Sequence, residues 1–124
     1  MVLESHEVDP VVTDPELYSV LFENERVRVL QYRDHPSDTT HPHRHPDSVM
    51  VTLADFRRRV HAGGREVEVE LTAGQARWVG AQEHVGENIG TTDSHAIFIE
   101  LKEPVPTPRP AGDMPLGPST GQAG

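Results

Sequence analysis

Cysteine is absent from this chain of 124 residues. That excludes disulfides, thiolate nucleophiles and sulfur-rich zinc sites at once. Positive charge is scarce: eleven Lys and Arg stand against twenty Asp and Glu, for a formal net charge of −9. Phosphate recognition needs clustered cations, so neither nucleic acid nor an anionic membrane is expected as a partner. The one dense basic run, Arg57-Arg58-Arg59, alternates faces on a strand and makes no single patch. No apolar run approaches the length of a membrane span, and no basic-then-apolar leader opens the chain, so a cytoplasmic protein is expected. Hydrophobic residues make up 35% and the length suits one domain, so the core is modest. Long amphipathic helices are missing too; Asp14 to Leu21 reads at most as one short turn.

What the chain has is short strands. Arg26 to Tyr32 alternates β-branched and aromatic residues with charge, and Val49 to Leu53 is nearly all apolar. Arg57 to Val60 extends the sheet into Ala62-Gly63-Gly64-Arg65, a hairpin turn. Glu66 to Leu71 then alternates, with valines and leucine inward and glutamates outward. Gln75 to Val79 holds Trp78, the only tryptophan, and Ser94 to Leu101 is the last strand. Many short strands between Gly and Pro turns predict an all-β sandwich or barrel. Three parts are expected: an N-terminal arm at 1–19, a barrel at 20–103 and a tail at 104–124. The tail holds six of the eleven prolines and four of the ten glycines, too little apolar surface to order itself unless it docks on a neighbouring subunit.

Histidine is where the chemistry concentrates. The stretch His41-Pro42-His43-Arg44-His45-Pro46-Asp47 holds three of the eight. On a strand, His43 and His45 point to one face, and two inward imidazoles can grip a divalent cation such as Fe, Zn, Ni, Mn or Cu. An HxH pair alone is weak evidence; His84, in Gly80-Ala81-Gln82-Glu83-His84-Val85-Gly86-Glu87-Asn88, is the natural third ligand. The bland alternative is that these histidines cap loops or meet solvent.

With both stretches in view, the chain resembles the cupin superfamily over roughly residues 21–102. The first motif of that family, an HxH pair followed by a glutamate and a strand, is similar to Thr40 to Leu53. The second, a glycine, a turn, a histidine and an asparagine four residues on, is similar to Gly74 to Asn88. The resemblance implies a small antiparallel β-barrel, or double-stranded β-helix, with one divalent transition metal on His43, His45 and His84, and a structural Asn88. The family's glutamate falls near Ser48, a poor ligand, so the fourth position is open between Asp47, which has the parity of His45, and His41. Three histidines without a carboxylate leave the cation its full charge and a strong Lewis acidity.

Other residues carry weaker signals. His95 shares a face with Ile97, Ile99 and Leu101, as a cavity-lining acid/base group or a hydrogen-bonded rim histidine. Trp78, Val51 and Gln31 are candidate pocket-lining residues. Arg57 and Arg59 share a face and either clamp an acidic substrate or sit in solvent. Glu83 and Glu87 either orient His84 or are exposed. The function implied is a metal-dependent enzyme acting on a small organic molecule, either by Fe(II)-dependent dioxygenase-like chemistry or by non-redox cyclase, isomerase or lyase chemistry. The alternative is a cupin that only binds a small ligand, or only a structural metal. A homodimer is expected by the same resemblance, since pairing through sheet edges hides exposed strands.

Overall fold

A computed structural model describes residues 8–102. The expected tail at 104–124 and the first seven residues of the expected arm lie outside the described residues. A four-residue helix, α1 (Pro10–Thr13), precedes nine strands: β1 (Tyr18–Glu23), β2 (Val27–Asp34), β3 (His43–His45), β4 (Ser48–Thr52), β5 (Phe56–Ala62), β6 (Arg65–Leu71), β7 (Ala76–Val79), β8 (Gln82–Asn88) and β9 (Ser94–Leu101). They form two antiparallel sheets, one ordered β1-β2-β9-β4-β7 and the other β3-β8-β5-β6. Among the described residues no helix is long and apolar enough to cross a membrane.

Local chemistry explains the elements. Asp9 caps α1 by accepting from Val11 N at 3.0 Å, and Pro10 takes the first helical position, where its missing N–H costs nothing. The helix ends before the stretch expected to turn, and β1 begins at Tyr18, inside the segment expected to be an arm. The β5–β6 hairpin closes on Gly63 and Gly64, with φ of 57° and 76°, a backbone region that side chains disfavour.

The inner faces of the sheets meet over Tyr18, Leu30, Tyr32, Phe56, Leu71, Ala96 and Phe98. Leu30 is fully buried, which stabilises by about 2 kcal/mol. Yet ten buried residues are polar or charged against seven apolar ones, so this interior serves as more than a packed core. Two parities decide what faces it. On β9 the inward residues are Ser94, Ala96, Phe98 and Glu100, so the expectation that His95, Ile97, Ile99 and Leu101 share the inner face is corrected by one register step. On β8 the inward positions are Gln82, His84, Gly86 and Asn88. No apolar alternation marks that strand, because its inner face is polar or small.

Candidate metal centre

The pairing of β3 with β8 sets His43 directly opposite His84, with His45 opposite Gln82. Pro42 and Pro46 flank β3, each removing a ladder donor, which suits a strand only three residues long. The three rings lie edge to face, with centroids 4.7 Å apart for His43–His84, 4.9 Å for His43–His45 and 5.2 Å for His45–His84. One nitrogen from each lies within 4.8 Å of the others. His43 and His45 are buried and His84 is half-buried.

Each ring is held from behind through Nδ1. His43 Nδ1 lies 2.9 Å from His41 O, His45 Nδ1 is 2.9 Å from Glu100 Oε2, and His84 Nδ1 is 2.8 Å from Gln82 Oε1. Gln82 Nε2 donates to Gly80 O at 3.1 Å, which orients its amide. All three partners are acceptors, so every Nδ1 carries the hydrogen and every Nε2 presents a lone pair. Burial pushes His43 down to about 4, with the neighbouring His45 adding to the effect, and pushes His84 down to about 3. Both are therefore neutral at pH 7. Glu100 is itself held by Arg28 at 2.9 Å, and Arg28 by Asp9 at 2.9 Å.

Tyr18 enters the same space. Its hydroxyl lies 3.3 Å from His43 Nε2 and 3.4 Å from His45 Nε2. Burial, reinforced by Tyr32, raises its pKa well above the ordinary value, so it carries one hydrogen. One hydrogen facing two lone pairs leaves an acceptor-rich, water-poor cluster that lacks positive charge. The donor set, imidazole nitrogens plus a phenol oxygen, suits a divalent transition cation. The residues present therefore fit such a metal, with His43, His45 and His84 as its holders.

The candidates for a fourth ligand stand elsewhere. His41 is exposed and bonded through Nδ1 to Asp14 Oδ1 at 2.8 Å. Asp47 is exposed, its Oδ1 accepting from Ala81 N at 2.8 Å, because Pro46 breaks the parity that would carry it inward. His95 faces away from the interior, 3.0 Å from Gln31 Oε1, and Gln31 faces outward with it. Val51 is also outward, opposite Ile97; the inward residues on that strand are Ser48, Met50 and Thr52, with Met50 opposite Phe98. Trp78 is 60% exposed and is among the residues that line the cavity, as expected. Arg57 and Arg59 pair with Glu68, Arg59 also with Glu66 and Glu87, and Glu83 with Arg44, so none of them reaches an imidazole of the triad.

Sequence reasoning missed Tyr18, Gln82, Glu100 and Arg58. Glu100 had a signal: a lone carboxylate inside an otherwise apolar last strand. Tyr18 had none, lying before the first strand that periodicity marked.

The cluster opens onto a cavity of about 260 Å³ between the sheets, whose wall includes His84, Tyr18, Tyr32, Phe56, Val69 and Phe98. On the same sheet as the histidines, Arg58 Nη1 donates to Asp34 Oδ2 at 2.8 Å and the guanidinium carbon lies 4.9 Å from the Tyr32 ring centre. Asp34 also accepts from the Tyr32 hydroxyl, from Asn88 Nδ2 at 3.0 Å and from Ser94 N at 3.2 Å. Burial opposes its ionisation, but these donors and Arg58 outweigh burial and hold the carboxyl below the usual carboxylate range.

Two facing antiparallel sheets around a lumen with convergent histidines define a small double-stranded β-helix. The chain has the fold of the cupin superfamily. It is similar to a cupin domain from Bordetella pertussis, with 29% identity and a TM-score of 0.66 over 70% of this chain and 93% of that one. A conserved protein with a double-stranded β-helix domain from Klebsiella pneumoniae is similar in fold at 18% identity and a TM-score of 0.56, covering 81% of this chain and 88% of its own. A cupin superfamily protein from Desulfitobacterium hafniense aligns at 15% identity and a TM-score of 0.55, over 70% of this chain and 77% of that one. No family model matches the chain, and no curated protein sequence does.

Proposed function

We propose that the chain holds one divalent transition metal on His43, His45 and His84 and acts as an enzyme on a small organic molecule lodged in the adjoining cavity. The observation that carries this reading is the arrangement of Nδ1 partners: three buried or half-buried rings, each fixed from behind, aim their Nε2 lone pairs at one another. A purely structural cluster would have no use for His84 lining a cavity of about 260 Å³.

When bound, the cation supplies Lewis acidity and open coordination positions. The chain's own residues do the rest. Glu100 orients His45 and is kept in place by Arg28. Tyr18 holds a proton at its hydroxyl, beside the ring nitrogens, ready to hydrogen-bond a substrate oxygen. Phe98 stacks on His45 with centroids 4.6 Å apart and excludes water from that side. The same site suits an Fe(II) dioxygenase-like reaction and a non-redox isomerisation, cyclisation or lyase step; oxygen uptake by the iron-loaded protein separates them. A homodimer belongs to this reading. The outer face of the larger sheet carries a cross-strand apolar row, Val29, Ile99, Val49 and Trp78, that a second copy would cover.

The test is metal content. Elemental analysis of protein purified without added metal or a histidine tag should find about one transition metal per chain, lost in His43→Ala, His45→Ala and His84→Ala. Full occupancy in any one variant removes that residue from the set, and a metal-free wild type that takes up none on titration overturns the proposal.

A further inference from the structure

The cavity beside the histidines has polar capacity to spare at one end only. Three polar side chains in its wall, those of Tyr32, Arg58 and Gln82, are engaged within the chain. Tyr32 donates to Asp34, and Gln82 turns its oxygen to His84 Nδ1 and its amide nitrogen to Gly80 O. Arg58 is the only Asp, Glu, Lys or Arg in the wall, and Asp34 balances its charge at 2.8 Å. Nη1 donates to Asp34 Oδ2 and, at 3.3 Å, to Ser94 Oγ. The β8 backbone closes the other edge of the guanidinium: a Cβ at Gly86 would collide with Nη2 and lie 3.2 Å from Cζ. At the histidine end, by contrast, the Nε2 lone pairs and the Tyr18 hydroxyl face one another with little to satisfy them.

Between these two ends the wall is hydrocarbon. Val60 on β5 stands beside Gly86 and opposite Val67 on β6, so an apolar floor begins at the next inward position along β8 from His84. Phe56, Val69 and Leu71 continue it, and Met50 and Phe98 face it from the other sheet. Val67 and Trp78 line the cavity and are 53% and 60% exposed. They sit on β6 and β7, the last strands of their sheets, so the cavity opens to solvent between those two edges. An ion passing inward there would give up water and find no free counter-charge along the wall.

We infer that the cavity takes an uncharged molecule with one polar end, an oxygen-bearing head at the histidines and a compact hydrocarbon body on the valines of β5 and β6. This rests on the reading of the cavity as the substrate site, and it names the substrate class. The volume of about 260 Å³ lies below that of most ligand pockets, so the body is small.

Isothermal titration at pH 7 of the full chain, stripped with chelator, tests it with three phenols that differ only at the end opposite the hydroxyl. Wild type should bind 4-methylphenol about tenfold or more tightly than 4-hydroxybenzoate and 4-hydroxybenzylamine. Toluene, which lacks the hydroxyl, should bind more weakly than 4-methylphenol. Val67→Asp, at an exposed position of β6, puts a carboxylate in the wall; it should shift the ranking toward 4-hydroxybenzylamine while circular dichroism and metal content stay as in wild type. Val69→Phe, which fills the floor, should weaken 4-methylphenol. Charged phenols that bind as tightly as the neutral one, toluene that equals 4-methylphenol, or no measurable binding of any probe overturns the inference. So does a ranking that Val67→Asp leaves unchanged in a folded protein, since the ligand would then lie elsewhere. Metal content is read separately: a wild type that binds metal without preferring the neutral phenol sinks this inference alone, and one that prefers it but takes up no metal sinks only the metal reading.

Discussion

The interior carries two polar clusters of opposite character, joined by the contact of Tyr18 with Tyr32 at 4.7 Å between ring centres. At one end Asp34, Asn88, Ser94, Tyr32 and Arg58 form a network in which each oxygen of Asp34 meets hydrogen-bond donors and its charge meets a cation. At the other end His43, His45 and His84 present lone pairs to one another, with a single phenol hydrogen between two of them. The first is nearly complete within the chain; the second presents lone pairs that, on the proposed reading, a cation would meet. Burial of polar groups is costly in both, and the proposal assigns the offset of that cost in the second to a bound metal.

The largest effect should come from breaking the complete network. Asp34→Ala strands Arg58, Asn88 and the Ser94 amide in the interior, and urea denaturation should show a loss of about 3–5 kcal/mol. The histidine cluster should show the reverse dependence, on what is added. Zinc at a hundred times its dissociation constant should stabilise wild type by about 2.7 kcal/mol, seen as a rise in Tm, and should do nothing for His84→Ala.

Acid sharpens the contrast. With folded values of about 4 for His43 and about 3 for His84 against an ordinary 6.5, the unfolded chain binds more protons than the folded one across that interval. Stability of the chelator-stripped protein is therefore full above about pH 6.5 and erodes as pH falls toward 4. Denaturation curves at pH 7 and pH 4.5 should differ in wild type and converge in a His43→Asn, His84→Gln double variant. A smaller change is expected from Tyr18→Phe, which removes one weak buried hydrogen bond: about 1 kcal/mol in the metal-free protein, with metal still bound. Least of all, His41→Ala and Asp47→Asn should leave metal content unchanged, since both side chains are engaged elsewhere.

The contrast also marks what could be read from the sequence. The all-β architecture was legible because β2 and β6 carry period-two alternation and β4 and β9 are short apolar runs, all set between Gly and Pro turns. The histidine triad was legible because His43 and His45 share a parity and the second motif placed His84 opposite them. What failed was parity where polar function replaces apolar pattern. β8 shows Gln82, His84, Gly86 and Asn88 to the interior and so gave no hydrophobic signal. On β9 the apolar run Ile97, Ile99 and Leu101 looked like the core side, yet it covers the outer face while Phe98 and Glu100 point in. That single inversion hid Glu100 and promoted His95. In the same way Arg57 and Arg59 drew notice as a pair, while Arg58 between them was the residue turned inward.

The most direct measurement is X-ray absorption at the metal edge of protein loaded with one equivalent of zinc. Three imidazole nitrogens per zinc, at about 2.0–2.1 Å, are expected in wild type, falling to two in His84→Ala. A wild-type spectrum with fewer than three imidazoles, or one unchanged by His84→Ala, would contradict the convergence of these strands on a single cation.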